Sequence, residues 1–299
     1  MRKLSLIAMS LAAALFASGA ARADEENCKL GRYASLPITI DESGGVTVPI
    51  KVEDQVQNML VDTGGAFSML TESAAAKLKL FRMAIPLAWM EMFGGRKLDH
   101  YVTAHSMEIA GAHVHDRDFV LIPDDALPPG VDGILAPDIL QVFDVDFDFA
   151  ASKLNLFSQE HCEGKVVYWT HDPHAQIPFK LDDDRHIKID LQLDGKDVST
   201  ILDTGSDLSL LSLETAEDLF GFDEATLKKN KYHYPFKTLT LQGVIVNNPD
   251  ILLVPDDKSK IMGDIGQPKM ILGMGILRQL HLYIAYREHN IYVTAATAH

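Results

Sequence analysis

Val61-Asp62-Thr63-Gly64-Gly65 and Leu202-Asp203-Thr204-Gly205-Ser206 place the same triplet behind the same kind of apolar run. The two aspartates lie 141 residues apart in a chain of 299. One Asp-Thr-Gly says little, because turns favour all three residue types. A pair says more. Two carboxyl groups held about 3 Å apart cannot both ionise, so they share one proton and form a matched acid and base. That chemistry asks for a duplicated fold that supplies one aspartate from each copy.

The duplication extends well beyond the triplet. At the same offset, Leu36-Pro37-Ile38 falls on Ile177-Pro178-Phe179 without a gap. The alternation Val46, Val48, Ile50, Val52 falls on Ile187, Ile189, Leu191, Leu193. Ser68 falls on Ser209, Leu70 on Leu211, Ala75 on Ala216 and Leu78 on Leu219. An internal repeat of this length sets the architecture before any local reading.

Residues 1–23 read as a secretory leader: basic Arg2 and Lys3, the apolar run Leu4–Phe16, then Ala21-Arg22-Ala23 as a cleavage signal. An uncleaved anchor is the alternative, and no other long apolar stretch occurs. The mature chain is thus expected to be exported, to the periplasm or beyond, without stable membrane insertion. The net charge is −15, and loss of the leader removes Arg2, Lys3 and Arg22 but no acid. Such a chain repels nucleic acid and anionic membrane. Cys28 and Cys162 are the two cysteines. In an oxidising compartment they can bridge; two free thiols are the alternative.

Short alternating segments dominate both repeats. Thr47–Val52 and His186–Leu193 alternate at period two, as half-buried strands do. Met59-Leu60-Val61 and Thr200-Ile201-Leu202 are apolar strands leading into each aspartate, and one short helix follows each triplet, near 73–78 and 214–219. Each half then closes on Ile134-Leu135-Ala136 or Ile271-Leu272-Gly273, a short helical piece (144–149, 280–286) and a last strand (153–157, 290–293). The expectation is an all-β chain with a few short helices: lobe one over 24–159, a linker over 160–175 and lobe two over 176–299.

Asp-Thr-Gly after a buried strand, followed later by Ile-Leu-Gly, resembles the aspartic protease superfamily. Each lobe is similar in size to a retropepsin-like domain, and the tandem arrangement behind a leader resembles bacterial exported aspartyl proteases. The resemblance covers nearly all of the mature chain and implies two pseudo-symmetric barrel lobes. It implies that Asp62 and Asp203 form the catalytic dyad, with the Gly64 and Gly205 amides turned toward the carboxylates. Thr63 and Thr204 would hydrogen-bond across the pseudo-twofold axis, and Ser206 would donate its hydroxyl to Asp203. A flap over the substrate is expected from Met90–Lys97, with Phe93, Gly94 and Gly95 at its tip. The chain departs from the family at Gly65, where Ser or Thr is usual, and at Ala136, where the bracing segment usually has Gly.

The activity so implied is endopeptidase action on a peptide or protein, through a water between the two aspartates. It calls for no metal and no cofactor. With Ser206 as its donor, Asp203 is expected to be the better anion and Asp62 the proton carrier. The internal pairing of lobes predicts a monomer; pairing of lobes between chains is the alternative. A non-catalytic peptide-binding protein on the same fold is the second functional reading, motivated by Gly65 and Ala136. Other motifs carry less. His113 and His115 lack a third metal ligand, His171 and His174 read the same way, and Asp182-Asp183-Asp184 lacks the spacing of a Ca²⁺ loop. No phosphate-binding glycine loop and no Gly-x-Ser-x-Gly is present.

Overall fold

The computed structural model of the chain describes residues 28–41, 44–85, 90–91, 96–109, 111–222, 225, 228, 232–254 and 270–296. The expected leader, residues 1–23, therefore lies outside the described residues. So do Phe93, Gly94 and Gly95, although the flanking Met90–Glu91 pairs antiparallel with Lys97–Leu98.

Each repeat builds its sheet in the same way. In the first, Val46–Val52 and Gln55–Val61 form a hairpin whose turn residues Glu53 and Asp54 have φ 49° and 59°. In the second, Ile187–Leu193 and Lys196–Leu202 turn through Asp194 and Gly195 at φ 45° and 77°. Two left-handed residues match the strand twist, which is why such turns favour Asp-Gly. Val46, Val48, Ile50 and Val52 are buried, as are Ile187, Ile189, Leu191 and Leu193. Period-two burial thus fixes the register of both hairpins.

The next elements also correspond. Thr71 and Ser212 cap the helices Glu72–Lys77 and Leu213–Phe220, accepting from the amides of Ala74 and Thr215. The strand Gly133–Leu135 inserts between Gln55–Val61, to which it is parallel, and Met69–Thr71, to which it is antiparallel. Met270–Leu272 inserts likewise between Lys196–Leu202 and Ser209–Ser212. These insertions pin the chain at the aspartates: the Asp62 amide donates to Leu135 O at 3.0 Å, and the Asp203 amide to Leu272 O at 3.0 Å.

A third, six-stranded sheet joins the repeats. It takes Arg32–Pro37, Lys153–Phe157 and Asp144–Asp148 from the first, and Leu280–Ala285, Asn290–Ala295 and Ala175–Pro178 from the second. Its central seam pairs Asp144–Asp148 with Leu280–Ala285. The helical pieces expected over 144–149 and 280–286 are therefore strands. Asp144-Val145-Asp146-Phe147-Asp148 alternates acid and apolar at period two, which suits a strand. The helices are the single turns before them, Pro137–Leu140 and Met274–Leu277.

The seam buries an ionic network. His161 Nε2 lies 2.5 Å from Asp144 Oδ2 and its Nδ1 lies 3.3 Å from Glu288 Oε1, with the ring inaccessible to solvent. His281 Nε2 lies 2.7 Å from Asp146 Oδ1, and Trp169 stacks on His281 at 4.2 Å. Burial pushes the Asp144 carboxyl up, while His161 pulls it back. Removing one partner of such a cluster strands charges in the interior. His161→Leu is therefore expected to cost about 3–5 kcal/mol, read as a lower urea midpoint.

Cys28 and Cys162 are bridged beside this network, with a Cα–Cα distance of 4.9 Å and a sequence separation of 134. Replacing both by Ser is expected to cost up to about 4–5 kcal/mol of unfolding free energy in the chain-entropy picture. Guanidinium melts of the double variant and of the reduced wild type should agree.

Candidate active site

The two Asp-Thr-Gly loops meet head to head. The Thr63 amide donates to Thr204 Oγ1 at 3.1 Å, and the Thr204 amide donates to Thr63 Oγ1 at 3.0 Å. Each hydroxyl donates onward, Thr63 to Leu202 O at 2.8 Å and Thr204 to Val61 O at 2.7 Å. Both threonines are fully buried. Four reciprocal hydrogen bonds thus lock one loop to the other across the pseudo-twofold axis.

That lock brings the carboxyl groups of Asp62 and Asp203 within hydrogen-bonding reach of each other, on two half-buried residues. The Gly64 amide donates to Asp62 Oδ1 at 2.9 Å and the Gly205 amide to Asp203 Oδ1 at 2.8 Å. The next amides, of Gly65 and Ser206, support the same carboxyls. Each glycine also faces the opposite aspartate. A methyl on Gly64 would stand 2.6 Å from both Asp203 oxygens, and one on Gly205 would stand 2.5 Å from Asp62 Oδ1. No side chain fits at either position without separating the pair.

Ser206 is placed differently from the expectation. Its hydroxyl donates to Leu208 O at 2.9 Å, so Asp203 receives the Ser206 amide and not the hydroxyl. Gly65 therefore deprives Asp62 of nothing that Asp203 has. A side chain at 65 would instead put its Cβ 2.8 Å from Asp62 Oδ2.

Burial pushes both carboxyls up, and Asp203 well up, because the Asp62 charge adds to its burial. On Asp62 the hydrogen bond from Asp203 and the two loop amides work against burial. The pair therefore holds its proton in common, and the hydroxyl on which the expected division of charge rested points elsewhere.

The bracing segments differ between repeats. The amides of Ala136 and Gly273 donate to Ser68 Oγ and Ser209 Oγ, each at 3.0 Å. Past that point, Asp138 Oδ1 accepts from the Ser68 amide at 3.0 Å and the Ser68 hydroxyl at 2.7 Å. In the second repeat, backbone amides do this work: Met274 donates to Ser206 O at 2.7 Å and Gly275 to Asp207 O at 2.9 Å.

Asp138, Arg185 and His186 went unnoticed in the sequence. The fall of Ser68 on Ser209 was the available signal for the bracing serines. Asp182, the first acid of the Asp182-Asp183-Asp184 run, is largely enclosed and accepts from the amides of Asp184 and His186. Among the described residues, no group of three or more His, Cys, Asp or Glu is placed to hold a metal ion.

Residues 48–138 match the sequence model of a family described as aspartyl protease. A solved aspartic proteinase from Irpex lacteus superposes with a TM-score of 0.55 at 14% identity, over 89% of this chain and 98% of its own. This is the two-lobed aspartic protease fold. The same fold relates the chain to basic 7S globulin from soybean, at 10% identity and a TM-score of 0.54, over 91% of this chain and 96% of the globulin. Conglutin gamma from lupine seeds, a basic 7S globulin, matches at 13% identity and a TM-score of 0.54, over 89% and 95%. None of the curated proteins matches the sequence. The aspartic protease fold thus frames globulins as well as a proteinase, and activity has to be argued from the dyad itself.

Proposed function

We propose that the chain is an aspartic endopeptidase, hydrolysing peptide bonds with a water held between Asp62 and Asp203. The observation that carries this reading is the pair of carboxyl groups within hydrogen-bonding reach, one from each locked loop. The ionised member of the pair takes a proton from the water as its oxygen attacks the peptide carbon. The protonated member hydrogen-bonds the carbonyl oxygen as it gains charge. The tetrahedral intermediate then collapses, the C–N bond breaks, and the proton taken from the water passes to the leaving nitrogen. Thr63 and Thr204 hold the loops in register, and Gly64, Gly205 and the Ser206 amide shape the carboxyl shell.

In this reading, residues 1–23 are a leader, and lobes over 24–159 and 176–299 flank a linker over 160–175. The mature chain acts as an exported monomer on peptides or proteins. The Cys28–Cys162 bridge is in keeping with an oxidising compartment. Among the described residues, no helix is long and apolar enough to cross a membrane.

One observation favours a second reading, a peptide-binding protein without efficient chemistry. Among the described residues, neither carboxyl receives a side-chain hydroxyl, since residue 65 is Gly and the Ser206 hydroxyl turns to Leu208 O. Digestion of a mixed peptide library across pH separates the two. New amino termini that vanish in both Asn variants support the endopeptidase. Peptides retained uncut by the wild type support the binder.

A further inference from the structure

At the seam between the repeats, His161 has both ring nitrogens against acceptors. Its Nε2 lies 2.5 Å from Asp144 Oδ2. Its Nδ1 lies 3.3 Å from Glu288 Oε1 and 3.3 Å from Cys162 O. A neutral imidazole carries one N–H and one lone pair, and an ionised carboxylate only accepts. With Asp144 and Glu288 both ionised, a neutral His161 would therefore aim a lone pair at an oxygen, inside a site closed to solvent. One more proton, on the ring or on the carboxyl it faces, gives each contact a donor.

The surrounding groups leave that demand in place. Asp144 Oδ1 accepts from the Tyr286 amide at 3.0 Å, and Oδ2 also accepts from the Tyr283 hydroxyl at 3.3 Å. Glu288 Oε1 accepts from the Gly164 amide at 3.0 Å, and Oε2 from the Tyr292 hydroxyl at 2.5 Å. Arg287, the cation next to Glu288 in the chain, donates to the backbone oxygen of His161 at 2.9 Å. Farther along the same strand, His281 stands between Asp146 Oδ1 at 2.7 Å and Asp148 Oδ1 at 3.9 Å. Asn155 and the Tyr168 hydroxyl donate to Asp146 Oδ2, each at 2.7 Å. Glu163 bears on Tyr292, and Arg32 on Tyr168. Four carboxyl groups thus meet two imidazoles across the seam, and burial raises the Asp144 carboxyl, in keeping with a retained proton. The members come from both repeats, Asp144, Asp146 and Asp148 from the first and His281, Tyr283, Tyr286 and Glu288 from the second, where the strands of the two repeats pair.

We infer that the Asp144–His161–Glu288 cluster is a proton-linked clasp: the folded chain keeps one proton there that the unfolded chain gives up, and the joint between the repeats weakens as that proton is lost. Below about 6.5, the ordinary histidine value, the unfolded chain carries the proton too, so the clasp gives its full stability and no pH dependence. Above that value only the folded chain carries it, and the contribution falls as pH rises. The clasp does not depend on peptide cleavage, and neither readout below is turnover.

The test compares urea unfolding of the wild type and Asp144→Asn in steps from about pH 6 to about pH 9. The Asn amide offers an N–H to His161 Nε2, so a neutral ring is satisfied without the extra proton. Above about pH 6.5, the unfolding constant of the wild type should rise by up to about tenfold per pH unit more than that of the variant. The Asp62–Asp203 pair is common to both proteins, so its own pH dependence cancels. Parallel slopes in two folded proteins overturn the inference. The wild type alone gives a second measurement should the variant not fold. At about pH 8, ¹⁵N NMR of the imidazoles and ¹³C NMR of the carboxyls should find two protons on the His161 ring, or one beside a protonated Asp144. A singly protonated ring facing an ionised Asp144 overturns the inference equally.

Discussion

Asp62→Asn and Asp203→Asn are each expected to lower peptide cleavage by roughly 10⁴-fold or more while leaving a folded protein, because neither half of an acid–base pair acts alone. The amide is nearly isosteric with the carboxyl group, and the loop lock uses Thr63 and Thr204, not the aspartates. Loss of cleavage should therefore come without loss of cooperative unfolding. Retention of full cleavage by either variant would end the endopeptidase reading.

The same variants report on stability, and the sign is opposite to that of an ordinary salt-bridged aspartate. Burial and the neighbouring charge raise the Asp203 carboxyl well above its ordinary value of 3.8. A group raised in the folded state contributes its full stability below the unfolded value, and that contribution is lost as pH climbs through the folded value. The wild type should therefore lose stability through this site as pH rises above about 4. Asp203→Asn cannot ionise and should gain stability relative to the wild type over the same rise. The gain should vanish near pH 4. Thermal melts of both proteins over that range decide it, and an advantage for the variant that grows toward acid would refute the assignment.

How far the site was legible in the sequence follows from what kind of information each residue carries. The strands, the turn at Asp194-Gly195 and the paired aspartates announce themselves through period, turn chemistry and duplication. The shared register even placed Ser68 over Ser209 before the role of either was known. Side-chain direction is another matter. Whether the Ser206 hydroxyl meets Asp203 or Leu208 O depends on one rotamer, and the assignment of charge within the dyad followed it. Asp144–Asp148 is a strand where a helical piece is expected, and its alternation of acid and apolar residues is the local signal for it. Arg185 acts across lobes, on Ala66 and Phe67 more than a hundred positions away, and nothing local marks it. Comparison of the two repeats does mark it, since Gly44 at the matching place is about as unlike Arg as a residue can be.

Comparison of the repeats also decides the second large effect, at Gly273. A Cβ there would collide with the Leu208 carbonyl and lie 2.7 Å from Ser206 O. Those carbonyls belong to the loop that follows Asp203, and two of the loop's oxygens, on Ser206 and Asp207, accept from the amides of Met274 and Gly275. A methyl would have to push backbone, which cannot swing aside as a flexible side chain does. Gly273→Ala should cost roughly 2–4 kcal/mol, above the usual range for an added methyl, and should depress turnover further by shifting the Asp203 loop. Ala136 stands at the matching place in the first repeat, already carries that methyl, and is fully buried. It fits because Pro137, having no N–H, cannot draw the loop carbonyl inward as Met274 does. Asp138 holds the loop from its side chain instead, and the absent side chain of Gly65 leaves the space above. Ala136→Gly should then cost only about 1 kcal/mol, the worth of one buried methyl. Urea unfolding of the two variants side by side is the measurement. Comparable small losses would mean that the two bracing segments are equally roomy, and that the departure from glycine at 136 has no structural compensation to explain it.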